Sequence, residues 1–386
     1  MENMSMVGRG LWRRSSIVVA VFVAIGGVIG SGCAMAADEV IVAGRAKMIS
    51  GEVVSTTAQQ VIVKDSNASE PITLRVGEIT EIRWNREPSA LKSIRTQLRN
   101  GEVATAFATI NRFSMQGNER KEIREEIDFL KAHSAARTAL ETGELTTVSP
   151  ETKESVTLSG TSAVTEAGQL VNGFLRQYPN SWRTYAATME LAELLASAGR
   201  YPVALTAYQK AAELASTSTD KIRSTFQLAR IQAICGQDAE AVKRFDAILK
   251  LSDTKDPAVR AMQLQSQLGR ARLAVATDPA AALKTADELL VEASKEDSGI
   301  PESERPSVFA QCWLIRGLVL EAQNQPQDAI FAFLRVDTMY SSDRFAHAEA
   351  LSHLMGLLEK AKRLDRAAKM RRTLLARYSD TPWAPK

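Results

Sequence analysis

The chain has 386 residues, of which 45% are hydrophobic and 6% aromatic, and its formal net charge is +3. A chain of this length can bury a large core, and the near-balance of charges argues against a nucleic-acid-binding protein. Its three cysteines, Cys33, Cys235 and Cys312, are too few for a disulfide framework. Cys235 and Cys312 fall within helical patterns, which favours buried free thiols over a single pairing between them.

The N-terminal segment 1–36 has the three parts of a secretory signal peptide. Arginines precede the apolar run 15–32, and the small side chains of Ala34 and Ala36 precede Ala37. This order predicts cleavage between Ala36 and Ala37 and therefore a protein exported to the periplasm or cell envelope. Cleavage would leave 45 basic and 44 acidic residues.

Two other fates of this segment stay open. The uninterrupted apolar stretch 17–30 is shorter than the ~20 residues of a membrane-spanning helix, so an uncleaved anchor is the first alternative. A lipoprotein signal ending at Cys33 is the second, although Gly30 stands where such signals carry an aliphatic residue. All three predict that most of the chain is exported.

Residues 37–86 predict a small β module. The segment alternates apolar and polar residues, is rich in Val, Ile and Thr, and is interrupted at turn-like intervals. We predict an SH3-like or Sm-like barrel with strands at 39–43, 46–55, 60–65, 72–76 and 80–84.

The sequence of residues 87–386 predicts a helical domain. From about residue 89 the hydrophobic period changes to that of a helix, with short breaks rich in Gly, Pro, Asp or Asn. The exception is the Ser/Thr-rich stretch 142–162, which predicts an inserted loop or linker outside the core.

The stretch ELAELLASAGRYPVALTAYQKAAEL, 190–214, contains a recurring pattern of small residues. Leu191 and Ala192 precede Gly199, and Ala204, Tyr208 and Ala211 follow it. The spacing resembles the tetratricopeptide repeat (TPR), a unit of ~34 residues in which two helices cross at small side chains. The pattern recurs downstream at Leu228, Ala229, Gly236, Ala241 and Phe245, and again at Gly317, Ala329 and Phe333.

The resemblance implies a mainly α fold, an αα-superhelix of six or seven helix pairs. Candidate anchor alanines lie at 204, 241, 281, 329 and 367, so the spacings are longer than ~34 residues and the repeats are degenerate. A helical solenoid of different curvature is the alternative. The joints QYPNSWRTYAA and RYSDTPWA resemble those of exported bacterial-envelope TPR proteins.

Motifs for catalysis and metal binding are missing from the sequence. It contains three histidines but no HExxH, no phosphate-binding glycine loop and no GxSxG. We expect solvent-facing or capping histidines, no metal, no cofactor and no enzymatic activity.

The concave face of the superhelix is the predicted binding surface. The TPR resemblance carries this face onto Arg223, Phe226, Arg230, Ala233 and Ile234, onto Gln263, Ser266, Arg270, Leu273 and Ala274, and onto Gln311, Leu314, Leu318, Glu321 and Ala322. We hypothesise that Arg223, Arg230 and Arg270 share one groove beside Phe226 and hold an acidic or C-terminal carboxylate segment. The alternative is that these arginines form salt bridges within the solenoid.

These features together predict a non-enzymatic scaffold that binds a protein or peptide partner. An accessory or regulatory subunit of an envelope enzyme, and an enzyme with its site in the groove, are the alternatives. A scaffold should have a long open groove, whereas an enzyme should have a pocket with convergent titratable groups. The basic run 360–372 predicts either a solvated face or contact with an anionic membrane or envelope polymer.

Overall fold

The computed structural model of the chain describes residues 37–65, 68–115, 117–148, 154–251 and 256–385. The predicted signal peptide, including Ala36, lies outside these ranges, and Ala37 is the first described residue. The described chain is mainly helical and begins with a small antiparallel sheet, as the sequence predicts.

The sheet has five strands, in the spatial order β4-β3-β2-β1-β5. Alternation of the side chains buries one face, on which Val40, Val61, Val63 and Ile82 are fully excluded from solvent. A 3-10 turn, Val76–Glu78, carries the chain from β4 to β5, which pairs with β1. The strands are β1 (Asp38–Val42), β2 (Ile49–Thr56), β3 (Gln60–Asp65), β4 (Ile72–Arg75) and β5 (Ile79–Arg83).

Helices follow the sheet and form a TPR-like stack of consecutive pairs. The pairs are α1 (Ser89–Arg99) with α2 (Val103–Arg112), α3 (Lys121–Thr142) with α4 (Thr161–Gln177), α5 (Thr184–Ser197) with α6 (Tyr201–Leu214), α7 (Ser218–Ile234) with α8 (Asp238–Leu249), α9 (Pro257–Ala274) with α10 (Pro279–Ala293), α11 (Arg305–Ala322) with α12 (Pro326–Met339), and α13 (Arg344–Lys360) with α14 (Leu364–Arg377). Each helix packs on its pair partner and on the next helix of the chain, and α7, α9, α11 and α13 also pack on one another in sequence. The first helices of the pairs therefore line the inner side of the stack.

The stretch 142–162 differs from the predicted loop. It contains a β-hairpin of β6 (Glu144–Val148) and β7 (Ser155–Ser159), and α4 already begins at Thr161. Alternating β-branched residues favour strands, and Leu145 is fully buried, so the hairpin contacts the core.

Small residues lie at the helix crossings. In α11, a Cβ added to Gly317 would lie 2.5 Å from the ring of Phe333, and in α9 one added to Gly269 would lie 2.6 Å from the ring of Phe245. Eleven of the repeat-packing residues are buried: Ala192, Ala204, Tyr208, Ala211, Leu228, Ala229, Ala241, Phe245, Gly317, Ala329 and Phe333. Leu191 is half-buried, and Gly199 and Gly236 have positive φ at the turns.

The anchor alanine of α10 is one residue later than the sequence pattern suggests. Ala282 is 1% exposed, whereas Ala281 is exposed and its backbone N–H donates to the carboxylate of Asp278 that caps the helix. The connection between α9 and α10, Val275–Asp278, is longer than the corresponding one between α7 and α8, Cys235–Gln237. The longer connection shifts the register of the pair.

The sheet does not have a core of its own. One cluster of buried side chains runs from Val40 in β1 through α1–α4 to Leu194 in α5. The sheet also contacts the connection between α6 and α7, where the backbone N–H of Gly77 donates to Ser216 Oγ at 2.8 Å and Gln59 donates to the carbonyl of Leu214. The β module is thus built into the helical stack at two places.

Candidate binding pocket on the concave face

The inner helices α7, α9, α11 and α13 converge on one pocket. Its cavity is about 70 Å³, which accommodates a few water molecules or one side chain but not a small-molecule ligand of ordinary size. The lining side chains with a polar group or an aromatic ring are Phe226, Arg230, Phe245, Gln265, Arg272, Gln311, Asp343, Phe345, Glu349 and Trp383.

The last helix pair closes the pocket by reaching the turn between α5 and α6. The guanidinium of Arg344 donates to the carbonyl oxygen of Ser197 at 3.1 Å and to both carboxylate oxygens of Asp380. The carbonyl of Asp380 lies so close to Gly199 that an added Cβ would be 2.2 Å from it. The concave face is therefore crossed by α13, and the long open groove expected of a scaffold is wrong for this chain.

One ion pair joins α7 to α13 across the pocket. Arg230 Nη2 lies 3.6 Å from Asp343 Oδ1, and the carboxylate of Asp343 also accepts from Ser307, Gln311 and the backbone N–H of Ala346. Burial alone would raise the pKa of Asp343, but Arg230 and these donors hold it below its ordinary value. Asp343 is therefore a carboxylate in the folded protein at neutral pH.

A second ion pair joins α9 to α13. The guanidinium of Arg272 donates to the two oxygens of Glu349 at 2.9 and 2.6 Å, the bidentate geometry that arginine favours. Burial opposes the charge of Arg272, but the carboxylate of Glu349 outweighs it and raises the arginine pKa. Each cation of the pocket therefore has an anionic partner from α13 or its N-cap.

Aromatic rings form the remaining wall. The guanidinium carbon of Arg230 lies 5.8 Å from the ring centre of Phe226 and 5.4 Å from that of Phe345, within range of cation–π attraction. Trp383, beyond the last helix, packs on Phe345 with ring centres 6.3 Å apart. The pocket therefore combines an apolar aromatic surface with charges fixed in position.

Six of the fifteen residues predicted for the concave face line this pocket: Phe226, Arg230, Ala233, Ile234, Gln311 and Leu314. The predicted cluster of three arginines does not form. Arg223 Nη1 lies 3.7 Å from Asp220, Arg270 Nη1 lies 3.1 Å from Asp246, and neither lines the pocket. The alternative, salt bridges within the solenoid, describes all three arginines.

The error in α9 is one of register. The residues of α9 that line the pocket include Gln265, Gly269 and Arg272, each one position before the predicted Ser266, Arg270 and Leu273. Ser266 is fully buried. Gln263, also predicted for the concave face, is 7% exposed and donates to the carbonyl of Leu251.

Sequence reasoning missed the residues that α13 and the C-terminal segment contribute. Asp343, Phe345, Glu349 and Trp383 are more than one hundred residues from Arg230, so no local period connects them. The signal that was present is the sequence SSDR at 341–344, in which Asp343 follows turn residues and caps α13.

The three histidines are hydrogen-bonded to neighbouring side chains, and the two described cysteines are free thiols. His353 is hydrogen-bonded to Glu321 at 2.6 Å, His133 to Glu190, and His347 to Asp337 and Tyr378. His347 is 2% exposed, so the expectation of solvent-facing histidines is wrong for it. Cys312 is buried but Cys235 is exposed at the C-cap of α7, which corrects the expectation of two buried thiols.

The described residues contain neither a metal-binding cluster nor a membrane-spanning helix. No group of three or more His, Cys, Asp or Glu side chains there has a metal-binding arrangement. No helix there is long and apolar enough to cross a membrane.

Comparisons with known proteins concern the fold. No protein-family model and no curated protein matches the chain. Among solved structures, the apo form of RapI matches with a TM-score of 0.41 and 12% identity, over 74% of this chain and 74% of that one. A chain of the Naa15/Naa10 complex bound to HypK-THB matches with a TM-score of 0.30 and 16% identity, over 75% of this chain but 37% of that one.

Proposed function

We propose that this protein is a non-enzymatic interaction scaffold of the cell envelope, and that a segment of a partner protein binds at the concave pocket. The observation that carries the proposal is the convergence of α7, α9, α11 and α13 on one pocket with aromatic walls. Tryptophan and arginine, both present in this pocket, are enriched among the residues that contribute most to protein–protein binding.

The size and charge of the pocket indicate what the partner inserts. A cavity of about 70 Å³ takes a single apolar side chain of a partner segment, and the rest of that segment would lie on the surface beside the pocket. Acidic or amide groups flanking that side chain would contact Arg230 and Gln311, which are only half-buried. The partner is thus an extended or helical segment with an apolar anchor.

The charged groups of the pocket favour binding over catalysis. Among the described residues that line it, the two arginines and two carboxylates are engaged with one another. No serine, cysteine or histidine lines the pocket beside a base that would activate it. The location in the envelope is part of the proposal and rests on the signal-like segment 1–36.

Filling the pocket tests the proposal. Ala233 lines the pocket from α7, so Ala233→Phe occupies the space that the partner side chain needs. Ala239→Phe places the same ring on the exposed surface of α8 and serves as the matched control. Affinity capture from a solubilised envelope should retain a partner with the wild type and Ala239→Phe and lose it with Ala233→Phe.

Unchanged capture by the pocket variant would contradict the proposal. If all three proteins retain the same partners in the same amounts, the concave pocket is not the binding site. Circular dichroism of both variants establishes that the helices are intact. Deletion of residues 37–86 is unsuitable here, because the sheet shares its buried cluster with α1–α5.

A further inference from the structure

The segment from the end of α13 to the middle of α14 carries an unbalanced cluster of positive charge. Between residues 360 and 372 seven cations accompany one acid, Asp365, and all seven are exposed. No ion pair in the described chain joins any of them to a carboxylate, whereas the second helices of earlier pairs hold pairs such as Arg244 with Glu240 and Lys284 with Glu288. The cations are Lys360, Lys362, Arg363, Arg366, Lys369, Arg371 and Arg372.

Leucines lie among these cations. Leu364 is 66% exposed and Leu375 is 49% exposed, and Ala368 lies between them. The three residues are spaced by four and seven positions, so they form one stripe along the helix. A neighbouring stripe of Ala367, Met370 and Leu374 holds the helix to the stack.

The corresponding helix of the preceding pair shows what this face normally does. Ala329 in α12 corresponds to Ala367 in α14. By the same alignment, Phe333 corresponds to Arg371 and Asp337 corresponds to Leu375. Phe333 is fully buried and stacks on a ring of α13, and Asp337 is hydrogen-bonded to a side chain of α13. In α12 this face receives the next helix, but in α14 it presents a cation and an exposed leucine.

We propose that α14 docks on the surface of an anionic phospholipid bilayer. The exposed leucines would enter the interfacial region while the flanking cations pair with lipid phosphates, the arrangement of an amphipathic surface helix. A second copy of the chain packed through α14 would bring two clusters of seven cations together, which charge repulsion disfavours. Docking of an acidic helix from a partner protein would need an apolar groove, and the single stripe of two exposed leucines does not form a groove.

The docked helix stays folded and lies flat. Its buried stripe remains packed on the stack, so only the leucines and the cationic side chains reach the lipid. This role is independent of the concave pocket, which lies on the inner helices.

Vesicle flotation with the full chain tests the proposal. The vesicles are equal parts phosphatidylcholine and phosphatidylglycerol, with phosphatidylcholine alone as the neutral reference. We expect the triple variant Lys369→Gln, Arg371→Gln, Arg372→Gln to bind the anionic vesicles roughly a hundredfold more weakly. Each cation contributes about fivefold to the affinity, and the three factors multiply. The double variant Leu364→Ser, Leu375→Ser should lose roughly tenfold.

The matched control removes the same charge elsewhere. Lys210, Lys243 and Lys284 are exposed on α6, α8 and α10, and their triple change to Gln should leave vesicle binding within about twofold of the wild type. This comparison separates α14 from the N-terminal apolar segment, which is identical in every variant. All variants should keep the wild-type thermal midpoint, since the changed side chains are exposed.

Three results would overturn the proposal. They are no preference of the wild type for anionic over neutral vesicles, equal losses in the α14 and control triples, and binding that persists in both α14 variants. Capture of an acidic protein through α14 without vesicle binding would likewise identify a protein partner in place of the bilayer.

Discussion

The sheet with α1–α4 and the repeats α5–α14 bury their apolar residues in different ways. The first region shares one large cluster of buried residues that extends from β1 into α5. The repeats instead have four smaller clusters, each formed by one or two helix pairs and their neighbours. The first region should therefore unfold as a unit, whereas the repeats should follow nearest-neighbour energetics.

Buried charge reinforces the difference. In the first region Glu126, 1% exposed, lies between two arginines, with Arg183 Nη2 at 2.8 Å and Arg95 Nη2 at 3.4 Å, and Arg95 also pairs with Glu87 at 2.6 Å. Burial would raise the pKa of Glu126, but Arg183 and Arg95 hold it below its ordinary value. In the repeats the ion pairs of the pocket join α7 and α9 to α13.

Removal of the Glu126 carboxylate should have the largest effect. Glu126→Ala leaves Arg95, 5% exposed, without one of its partners, and should lower the free energy of unfolding by about 3 to 5 kcal/mol. Urea unfolding measures this change. On the same helix, Glu141 pairs with Arg137 at the surface, and Glu141→Ala should cost no more than about 0.5 kcal/mol. Equal costs would contradict the assigned role of burial.

Two fully buried residues test how far a perturbation spreads. Ile82→Ala in β5 and Leu374→Ala in α14 should each cost about 3 kcal/mol. Hydrogen exchange should show lost protection through the sheet and α1–α4 for Ile82→Ala, but only in α13 and α14 for Leu374→Ala. If both variants lost protection only in the elements next to the substitution, the two regions would not differ in cooperativity.

Two helix glycines sharpen the account of packing within the repeats. Gly317→Ala forces a methyl group against the ring of Phe333 and should cost about 2 kcal/mol. Gly356→Ala in α13 meets no atom within 4 Å and should stabilise by about 0.5 to 1 kcal/mol, because alanine favours the helix. Thermal melts of the two variants should move in opposite directions, and a rise for Gly317→Ala would show that the crossing is looser than described.

The smallest effect on the free energy of unfolding should come from the ion pair between Arg230 and Asp343, which joins α7 to α13. The pKa of Asp343 is lower in the folded protein, so the unfolded chain takes up the proton first as pH falls. Its stabilisation is complete at neutral pH and is lost as pH falls below about 3.9 through the native value. Asp343→Asn should cost about 1 kcal/mol at neutral pH, and acid titration of its stability should be flatter than that of the wild type. Parallel acid curves would contradict this.

The sequence predicted the local structure well and the site in part. Alternation located five strands within a few residues, and the small residues of 190–214 identified the helix pairs. Phe226 and Arg230 line the pocket on the face where the TPR frame places them. Arg270 does not, because the pocket-lining residues of α9 are one position earlier than that frame.

The hydrophobic period by itself determined the strands, the helix pairs and their stacking, because each depends on residues near in the chain. The tertiary structure alone decided that the sheet and α1–α5 share one core and that α13 crosses the concave face. Arg230 meets Asp343, and Gly199 meets Asp380, only because the superhelix curves far enough to bring its last pair to the turn after α5. That curvature accumulates from small rotations at every crossing, and no single segment encodes it.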